Sequence, residues 1–192
     1  MNSGHDYVNE INHELDLEFF KDLANQMMTD EWLSSPDHIG LVTSDLNPVQ
    51  VNDHSYLKGV RDKFPKLFDH LKLFKCGNGP WPIHIDRLRD TALNIPVINC
   101  NETKLTNFYS DDGVVAEEVT CYFGKEYRTW KSQKYSIYIT NASLSYSHSL
   151  TNKPVIINTS VPHNIVNHND EPRLIWSWGY DDTYNNARGV FT

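Results

Sequence analysis

The fold is decided by a series of short apolar segments, of which residues 81–99, WPIHIDRLRDTALNIPVIN, are the clearest. Two candidate strands, Trp81–Asp86 and Ala92–Asn99, flank a short charged connection. Both are rich in apolar residues and are bounded by Pro, Asn and Asp, which is typical of strands that end in turns. The stretch therefore predicts two consecutive β-strands.

The same pattern continues along the chain from about residue 70. Further candidate strands are His70–Lys75, Leu105–Tyr109, Val114–Cys121, Ser136–Thr140, Leu144–His148, Val155–Asn158, Asn164–Asn167 and Arg173–Trp178. Short strands at this spacing indicate an all-β barrel or a double-sheet jelly roll and not alternating βαβ units. We therefore predict a mainly β fold with its core over residues 70–180.

The N-terminal part, residues 14–68, has a helical pattern instead. Apolar residues recur at helical spacing over Leu15–Leu33, and again over Tyr56–Phe68, where Pro65 is expected to end the helix near Lys63. Residues 39–44 and 48–51 are candidate edge strands. Because no repeat or linker interrupts the sequence, we predict a single domain over residues 1–192, with the helices packed outside the β core.

Composition excludes several classes of function. The 192 residues carry a net charge of −8 and have no basic run, so nucleic-acid binding is not expected. The three cysteines form no CxxC pair, which favours a reducing compartment. With no signal-peptide pattern and no long apolar stretch, the sequence predicts a soluble cytoplasmic protein that does not enter a membrane.

The strongest candidates for a metal site are His84, Asp86 and His163. Alternation along a strand puts His84 and Asp86 on one face, and a jelly roll brings its first and last strands close together, so that His163 can join them. Two imidazoles and one carboxylate suit Fe(II), with Mn, Zn or Ni as alternatives of similar softness. The HxD pair alone is weak, because nine histidines produce such pairs by chance.

Arg173 lies ten residues after His163, on the next candidate strand. It shares a strand face with Ile175 and Ser177, and a guanidinium with a nearby hydroxyl can bind a carboxylate. We therefore interpret Arg173 as an anion clamp and Ser177 as a weaker contact beside it. The alternative is a surface arginine that pairs with Asp170 or Glu171.

Two polar residues near the HxD pair are weaker candidates for the same cavity. Asn94 lies between Leu93 and Ile95 and faces away from them, so it contacts a ligand or is a satisfied core amide. Tyr109 offers a phenolic donor or is an aromatic core residue. The arginines that follow Asp86 at positions 87 and 89 are interpreted as part of a solvated loop.

Taken together, His84-Ile85-Asp86, His163 and Arg173, with the stretch Arg89–Val97, resemble the signature of the Fe(II)- and 2-oxoglutarate-dependent oxygenases. The similarity covers roughly residues 70–180. It is greatest to the aspartyl/asparaginyl β-hydroxylase-like and prolyl-hydroxylase-like branches and to small oxygenases of phages and marine bacteria. The prolyl-hydroxylase branch usually has Lys where this chain has Arg173.

The resemblance implies a double-stranded β-helix, the jelly roll of cupins, and a hydroxylase that uses Fe(II), 2-oxoglutarate and O2 and releases succinate and CO2. His84, Asp86 and His163 would then bind iron, and Arg173 the distal carboxylate of 2-oxoglutarate, with Ser177, Asn94 and Tyr109 as further cosubstrate contacts. The substrate would be a small molecule or a peptide, and no catalytic side chain beyond the metal ligands is implied.

Two other classes of function remain open on the sequence. One is a cupin-like metalloprotein that does not use 2-oxoglutarate, although most of these use more histidines and have no need of Arg173. The other is a non-catalytic jelly-roll module that binds a glycan or a protein through aromatic residues such as Trp176 and Trp178. At strand spacing, those two tryptophans are more often core residues than a binding platform.

Overall fold

The structure of the chain is a computed structural model that describes residues 4–28, 41–86, 89–110, 114–120, 134–168 and 170–192. Its strands are β1 (Val8–Glu10), β2 (Leu41–Leu46), β3 (Leu71–Cys76), β4 (Gly79–Pro80), β5 (His84–Asp86), β6 (Thr91–Ile98), β7 (Lys104–Tyr109), β8 (Val114–Thr120), β9 (Lys134–Thr140), β10 (Leu144–Ser149), β11 (Val155–Asn158), β12 (His163–Asn167) and β13 (Arg173–Tyr180). Its helices are α1 (Leu17–Met27), α2 (Pro48–Asp53), α3 (Ser55–Lys63) and α4 (Tyr184–Phe191), with a 3-10 turn at Gly4–Asp6.

Within the described residues the strands form two antiparallel sheets. The major sheet has the order β1-β11-β6-β13-β3-β2, and the minor sheet has the order β10-β7-β12-β5-β9-β8, with β4 paired to β12. Along the chain these core strands alternate between the sheets with one exception. β3, β6, β11 and β13 belong to the major sheet and β5, β7, β10 and β12 to the minor one, where β7 and β10 pair directly with each other. This alternation is that of a jelly roll, so the predicted mainly β, double-stranded β-helix fold is confirmed.

The two faces of β13 are buried against different parts of the molecule. Trp176 and Trp178 pack in a large apolar cluster with residues of all four helices, such as Phe20 and Phe191. Ile175, on the opposite face, packs in a second cluster that includes residues of β6, β7 and β11. Because adjacent strand residues point to opposite faces, the first cluster lies outside the major sheet and the second lies between the sheets.

The N-terminal helices therefore cover the outer face of the major sheet, as predicted. Helix α1 begins after Asp16, whose side chain accepts a hydrogen bond from the Phe19 amide at 3.0 Å. The indole Nε1 of Trp176 donates to the carbonyl of Phe20 at 2.8 Å, which joins α1 to β13. Burial of this apolar face stabilises helices that are too short to be stable alone.

Most of the predicted elements are present within one or two residues of their predicted ends. Helix α3 ends at Lys63 as expected, and β2 matches the candidate edge strand at residues 39–44 over the part that the structure describes. The candidate strand at residues 48–51 is wrong, because Asn47 caps a helix there. Its side chain accepts from the amides of Val49 and Gln50, and Pro48 occupies the first turn.

Strand β1 and helix α4 were not predicted. Helix α4 is capped by Thr183 and buries Tyr184, Ala187 and Phe191, which recur at helical spacing. Strand β1 has only three residues, too few for an alternating pattern to be recognised. Across the described part of the chain, no helix is long and apolar enough to span a bilayer.

Candidate metal centre

The minor sheet brings His84, Asp86 and His163 together. The two histidines are directly paired in the antiparallel register of β5 and β12, so their side chains project from the same face. Asp86 is two residues further along β5 and therefore shares that face. The pairing of β5 with β12 thus explains how His84 and Asp86, two residues apart, form one cluster with the distant His163.

The geometry of these three residues suits a metal ion. Ligand atoms from all three lie within 4.8 Å of one another. Nε2 of His84 is 3.5 Å from Oδ1 of Asp86, and the two imidazole ring centres are 4.5 Å apart. A metal ion held on one side by two imidazoles and one carboxylate would keep its other coordination positions open.

Each imidazole is oriented by a backbone carbonyl two residues before it. Nδ1 of His84 is 2.9 Å from the carbonyl of Pro82, and Nδ1 of His163 is 2.9 Å from the carbonyl of Val161. A carbonyl accepts only, so each Nδ1 carries the proton and each Nε2 lone pair is directed at the cluster. This arrangement is the usual support of a metal-binding histidine.

The protonation states agree with metal binding. Burial, with the neighbouring His84 as a further cause, lowers the pKa of His163 to about 4. Burial alone would raise the pKa of Asp86, but the Arg89 guanidinium and the nearby histidines hold it well below the usual range. Near neutral pH the cluster therefore offers a neutral imidazole at His163 and an ionised carboxylate.

Arg89 belongs to this cluster, and its interpretation as a solvated loop residue is wrong. Its Nε donates to Oδ2 of Asp86 at 2.8 Å, and its Nη1 donates to Oγ of Ser177 at 2.9 Å. The side chain is 19% exposed. Arg87 lies outside the described residues. Sequence alternation could not identify Arg89, because it follows the end of β5 in a connection that has no strand pattern.

Arg173 is fully buried at the start of β13, which excludes the alternative of a surface arginine. Its Nη1 donates to the carbonyl of Lys104 at 3.4 Å. Its Nε and Nη2 are also buried, and among the described residues they have no hydrogen-bond partner. Because an unpaired buried donor is costly, a carboxylate bound at this point would be strongly stabilised.

Arg173 faces the space between the sheets, which also contains the metal cluster. It shares a strand face with Ile175, which packs in the inner apolar cluster, and with Ser177, which reaches Asp86 through Arg89. The predicted common face of Arg173, Ile175 and Ser177 is therefore confirmed. Strand β13 therefore carries Arg173 and Ser177 on the same inner face.

Asn94 lies opposite Ser177 in the pairing of β6 with β13. It is buried, and its Oδ1 has no hydrogen-bond partner among the described residues. Its neighbours Leu93 and Ile95 pack in the outer cluster, so Asn94 faces the inside as predicted. It is the second polar side chain in this cavity wall with an unsatisfied atom.

Tyr109 has a different position from the one expected of a cosubstrate contact. Its hydroxyl donates to Oδ1 of Asn164 at 3.1 Å, and the Asn164 amide donates to the carbonyl of Trp81 at 2.8 Å. Phe108, its neighbour in β7, packs inside near His163. Tyr109 therefore lies on the outer face of the minor sheet, and the structure does not bring it to the other candidates.

Lys104 and His148 are polar residues of the minor sheet that the sequence did not single out. Lys104 is fully buried on β7, where its Nζ donates to the carbonyl of Glu171. His148 is paired with Thr106 on the edge of the same sheet, and burial lowers its pKa, with Arg173 contributing. Lys104 and Arg173 are thus two buried cationic side chains on inner strand faces, a charge arrangement that favours an anionic ligand.

Comparison with known proteins adds little to this geometry. No protein-family model matches the chain, and no curated protein sequence matches it significantly. A prolyl-4-hydroxylase from Pseudomonas putida has a similar structure, with a TM-score of 0.49 and 12% identity over 90% of this chain and 91% of that one.

Two other solved structures are similar at lower TM-scores. Vicilin from hazelnut, Corylus avellana, has a TM-score of 0.40 at 11% identity, over 82% of this chain and 32% of its own. L-ribose isomerase from Cellulomonas parahominis has a TM-score of 0.39 at 14% identity, over 85% of this chain and 80% of its own. At these identities and TM-scores, neither family nor activity follows from the likeness.

Proposed function

We propose that this chain is an Fe(II)- and 2-oxoglutarate-dependent oxygenase that hydroxylates a small-molecule or peptidyl substrate. The balanced reaction is substrate–H plus 2-oxoglutarate plus O2, which gives substrate–OH, succinate and CO2. The donor set of His84, Asp86 and His163 fits a divalent ion such as Fe(II).

One observation carries the choice of cosubstrate. The guanidinium of Arg173 is buried without a partner for Nε and Nη2 among the described residues. It shares a strand face with Ile175, which packs between the sheets together with Phe108, the neighbour of His163. A buried guanidinium with unpaired N–H groups favours an anionic partner. Its planar pair of donors matches the two oxygens of a carboxylate. A 2-oxo dicarboxylate provides a carboxylate for Arg173 at one end and oxygen ligands for a metal at the other.

The protein residues would then bind, orient and exclude. His84, Asp86 and His163 would hold iron, which supplies the activation of O2 and the oxidative decarboxylation of 2-oxoglutarate. Arg173 would fix the far carboxylate, and the hydrogen bonds from Nδ1 to the backbone would keep each Nε2 directed at the metal. The apolar wall around Phe108 and Ile175 would limit the access of water.

The first test measures turnover in the absence of a known substrate. Protein purified without oxygen is loaded with Fe(II) and 2-oxoglutarate, and succinate is measured after O2 is added. We expect slow uncoupled succinate formation and, before O2 is added, a visible charge-transfer band of the complex of metal and 2-oxoglutarate. If both are absent while Fe(II) is bound, the protein is not a 2-oxoglutarate oxygenase and the cupin-like alternative is favoured.

A matched pair of histidine variants tests the metal site. His84→Ala should abolish Fe(II) binding and succinate formation, because it removes one of the three ligands. His70→Ala is the control, since His70 is 39% exposed and contacts the neighbouring Asp69. Fe(II) binding in His84→Ala equal to that of the control would contradict the metal assignment and favour a binding module without a metal.

A further inference from the structure

We propose that Arg89 is a positioning residue that holds Asp86 so that only its Oδ1 is offered to the metal. This inference rests on the proposed function, because it assumes that a divalent ion binds His84, Asp86 and His163. It assigns a purpose to a side chain that lies outside the donor set and that the strand pattern did not reveal.

The contacts of the Asp86 carboxylate divide its two oxygens. Oδ2 accepts a hydrogen bond from Nε of Arg89 at 2.8 Å. Oδ1 is not engaged by this hydrogen bond and lies 3.5 Å from Nε2 of His84. One oxygen is thus engaged by a cation, and the other is directed at the point where a metal would bind.

Arg89 is itself held at a second point. Its Nη1 donates to Oγ of Ser177 at 2.9 Å, so the guanidinium bridges the minor sheet to β13 of the major sheet. A guanidinium with donors in a fixed fork loses little freedom when both contacts form. The orientation of the carboxylate is therefore tied to both sheets and not to β5 alone.

Thr159, which is fully buried between β11 and β12, holds the backbone at Asp86, Arg89 and Asp90. The Asp86 amide donates to the carbonyl of Thr159 at 3.1 Å, and the Thr159 amide donates to the carbonyl of Asp90 at 2.9 Å. The Thr159 hydroxyl donates to the carbonyl of Arg89 at 2.7 Å. Arg89 is thus part of a prepared arrangement and not of a free loop.

This arrangement has a chemical use. A carboxylate beside a divalent ion can coordinate through one oxygen or chelate through both. Three protein donor atoms leave three positions on an octahedral ion, and a chelating carboxylate would occupy one of them. By engaging Oδ2, Arg89 would keep the positions that the cosubstrate and O2 require.

A second effect of Arg89 opposes metal binding. The guanidinium is cationic and repels a divalent ion, so its removal could tighten binding if charge were decisive. The ion pair with Asp86 offsets much of this repulsion, and partners that orient a metal ligand typically contribute 10- to 100-fold to metal affinity, as an order of magnitude. We therefore expect orientation to outweigh repulsion.

The experiment uses Co(II) alone, without 2-oxoglutarate or O2. Affinity is measured by calorimetry and the coordination by the d–d absorption spectrum, in wild type, Arg89→Gln, Arg89→Lys and Ser177→Ala. We expect Arg89→Gln to weaken Co(II) binding by about 10-fold or more and to change the spectrum. Arg89→Lys should recover part of the affinity, and Ser177→Ala should shift it in the same direction by less.

Arg188→Gln is the matched control, because Arg188 is an exposed arginine of α4 whose Nη1 donates to the carbonyl of His5 at 3.4 Å. It should leave both readings unchanged. Co(II) affinity and spectrum in Arg89→Gln equal to those of wild type, or tighter binding, would overturn the positioning role while leaving the proposed function intact. Failure of wild type to bind Co(II) would overturn both.

Folding of the variants is checked by thermal unfolding. If Arg89→Gln does not fold, Arg89→Lys decides the question, because it retains a cation near Asp86 but has one nitrogen in place of the fork. An unchanged Co(II) affinity and spectrum in folded Arg89→Lys would then contradict the proposal, and a weaker affinity with a changed spectrum would support it.

Discussion

Single residues in the cavity are distinguished by unsatisfied polar atoms. Arg173 and Asn94 both have buried atoms without a partner among the described residues, although most buried polar groups in proteins are paired. Both lie on inner strand faces of the major sheet. Such atoms reduce stability in the free protein and become favourable when a ligand of matching chemistry binds, which is why Arg173 and Asn94 are the proposed contacts; Asp45, His54 and Arg61 each have one such atom elsewhere in the described residues.

Replacement of Arg173 should weaken cosubstrate binding while sparing the metal. Hydrogen bonds to charged groups contribute about 1.5–3 kcal/mol, so Arg173→Gln should raise the Kd for 2-oxoglutarate by about 10-fold or more. Arg173→Lys should fall between this variant and wild type, because it retains the charge but loses the fork. The charge-transfer band under anaerobic titration measures the Kd, and Fe(II) affinity is the control. Normal 2-oxoglutarate binding in Arg173→Gln would make the clamp assignment wrong.

The pH dependence of stability should reveal the burial of His163. The pKa of His163 is about 4 in the folded protein and 6.5 in the unfolded chain, so only the unfolded chain takes up a proton between these values. Metal-free protein should therefore lose stability as the pH falls from 6.5 to about 4, and show no such effect of His163 above pH 7.

His163→Gln provides the comparison for this prediction. Urea unfolding in the presence of a chelator, at a series of pH values, should give a flatter curve for the variant between pH 6.5 and 4. The other carboxylates of the protein titrate in both forms, so the difference reports His163 together with its interaction with Asp86. Parallel curves over this range would show that His163 titrates normally in the folded protein.

The sequence predicted the residues of the site better than it predicted their partners. Strand alternation is enough to place His84 beside Asp86, and Arg173 on the face of Ser177. It does not decide which of Phe108 and Tyr109 faces inward, because both are aromatic and either could pack in a core; in the structure Phe108 is buried and Tyr109 only half-buried. Arg89 depends on contacts with Thr159 and Ser177, which are distant in sequence and have no local pattern.

Among the elements, β13 has the most demanding position. It lies between β3 and β6 in the major sheet and is buried along its whole length. One face carries Arg173 and Ser177 into the cavity, and the other carries Trp176 and Trp178 into the helical layer. Any change in its position would therefore move Arg173 and the outer core together.

Gly179 is required where β13 passes under Phe68. A Cβ at this position would lie 2.5 Å from Cδ2 of the Phe68 ring. The Phe68 amide also donates to the Gly179 carbonyl at 2.9 Å, which holds the two backbones close together. Gly179→Ala should destabilise the protein by about 1–3 kcal/mol, the usual cost of overpacking.

A compensating variant tests the reason for this loss. The smaller side chain in Phe68→Leu should reduce the cost of Gly179→Ala, so the two changes should be clearly non-additive in urea unfolding. Gly59→Ala is the control, because a Cβ there meets no atom within 4 Å and alanine favours the helix. Additive effects of Gly179→Ala and Phe68→Leu would mean that steric conflict with this ring is not the cause.

Elements with a long periodic pattern were predictable, and short or context-dependent ones were not. Helix α2 begins with Pro48-Val49-Gln50-Val51, whose alternating valines suit a strand, but the cap at Asn47 and the adjacent Pro48 decide in favour of a helix. Helix α4 repeats apolar residues only three times, at Tyr184, Ala187 and Phe191. Its stability comes from packing against the outer core, which a local pattern does not reveal.

At the scale of the whole molecule, the helices pack on the outer face of the major sheet, and the candidate metal ligands face the space between the sheets. Phe20 is fully buried in the outer cluster, where it packs near Trp176 and Trp178. The candidate metal ligands come from β5 and β12 of the opposite sheet. Stability and metal binding should therefore be separable by mutation.

Phe20→Ala tests this separation. The substitution should lower the free energy of unfolding by about 3–5 kcal/mol, since it leaves a large cavity in the outer core. The Co(II) affinity of the folded variant should equal that of wild type. Val49→Ala is the control, because Val49 is an apolar residue that is 65% exposed, and its effect should be within about 0.5 kcal/mol. A large fall in Co(II) affinity in folded Phe20→Ala would show that the two layers are coupled.

The division of the site between two sheets has a consequence for selectivity. The candidate metal ligands belong to the minor sheet and Arg173 belongs to the major one. The distance between the sheets therefore limits the length of any ligand that contacts both. Packed sheets lie about 10 Å apart, a spacing set by the side chains between them. A dicarboxylate one methylene too short or too long would be rejected by reach alone. Residues such as Phe108 and Ile175, which separate the sheets, would thus set the accepted length without contacting the carboxylates.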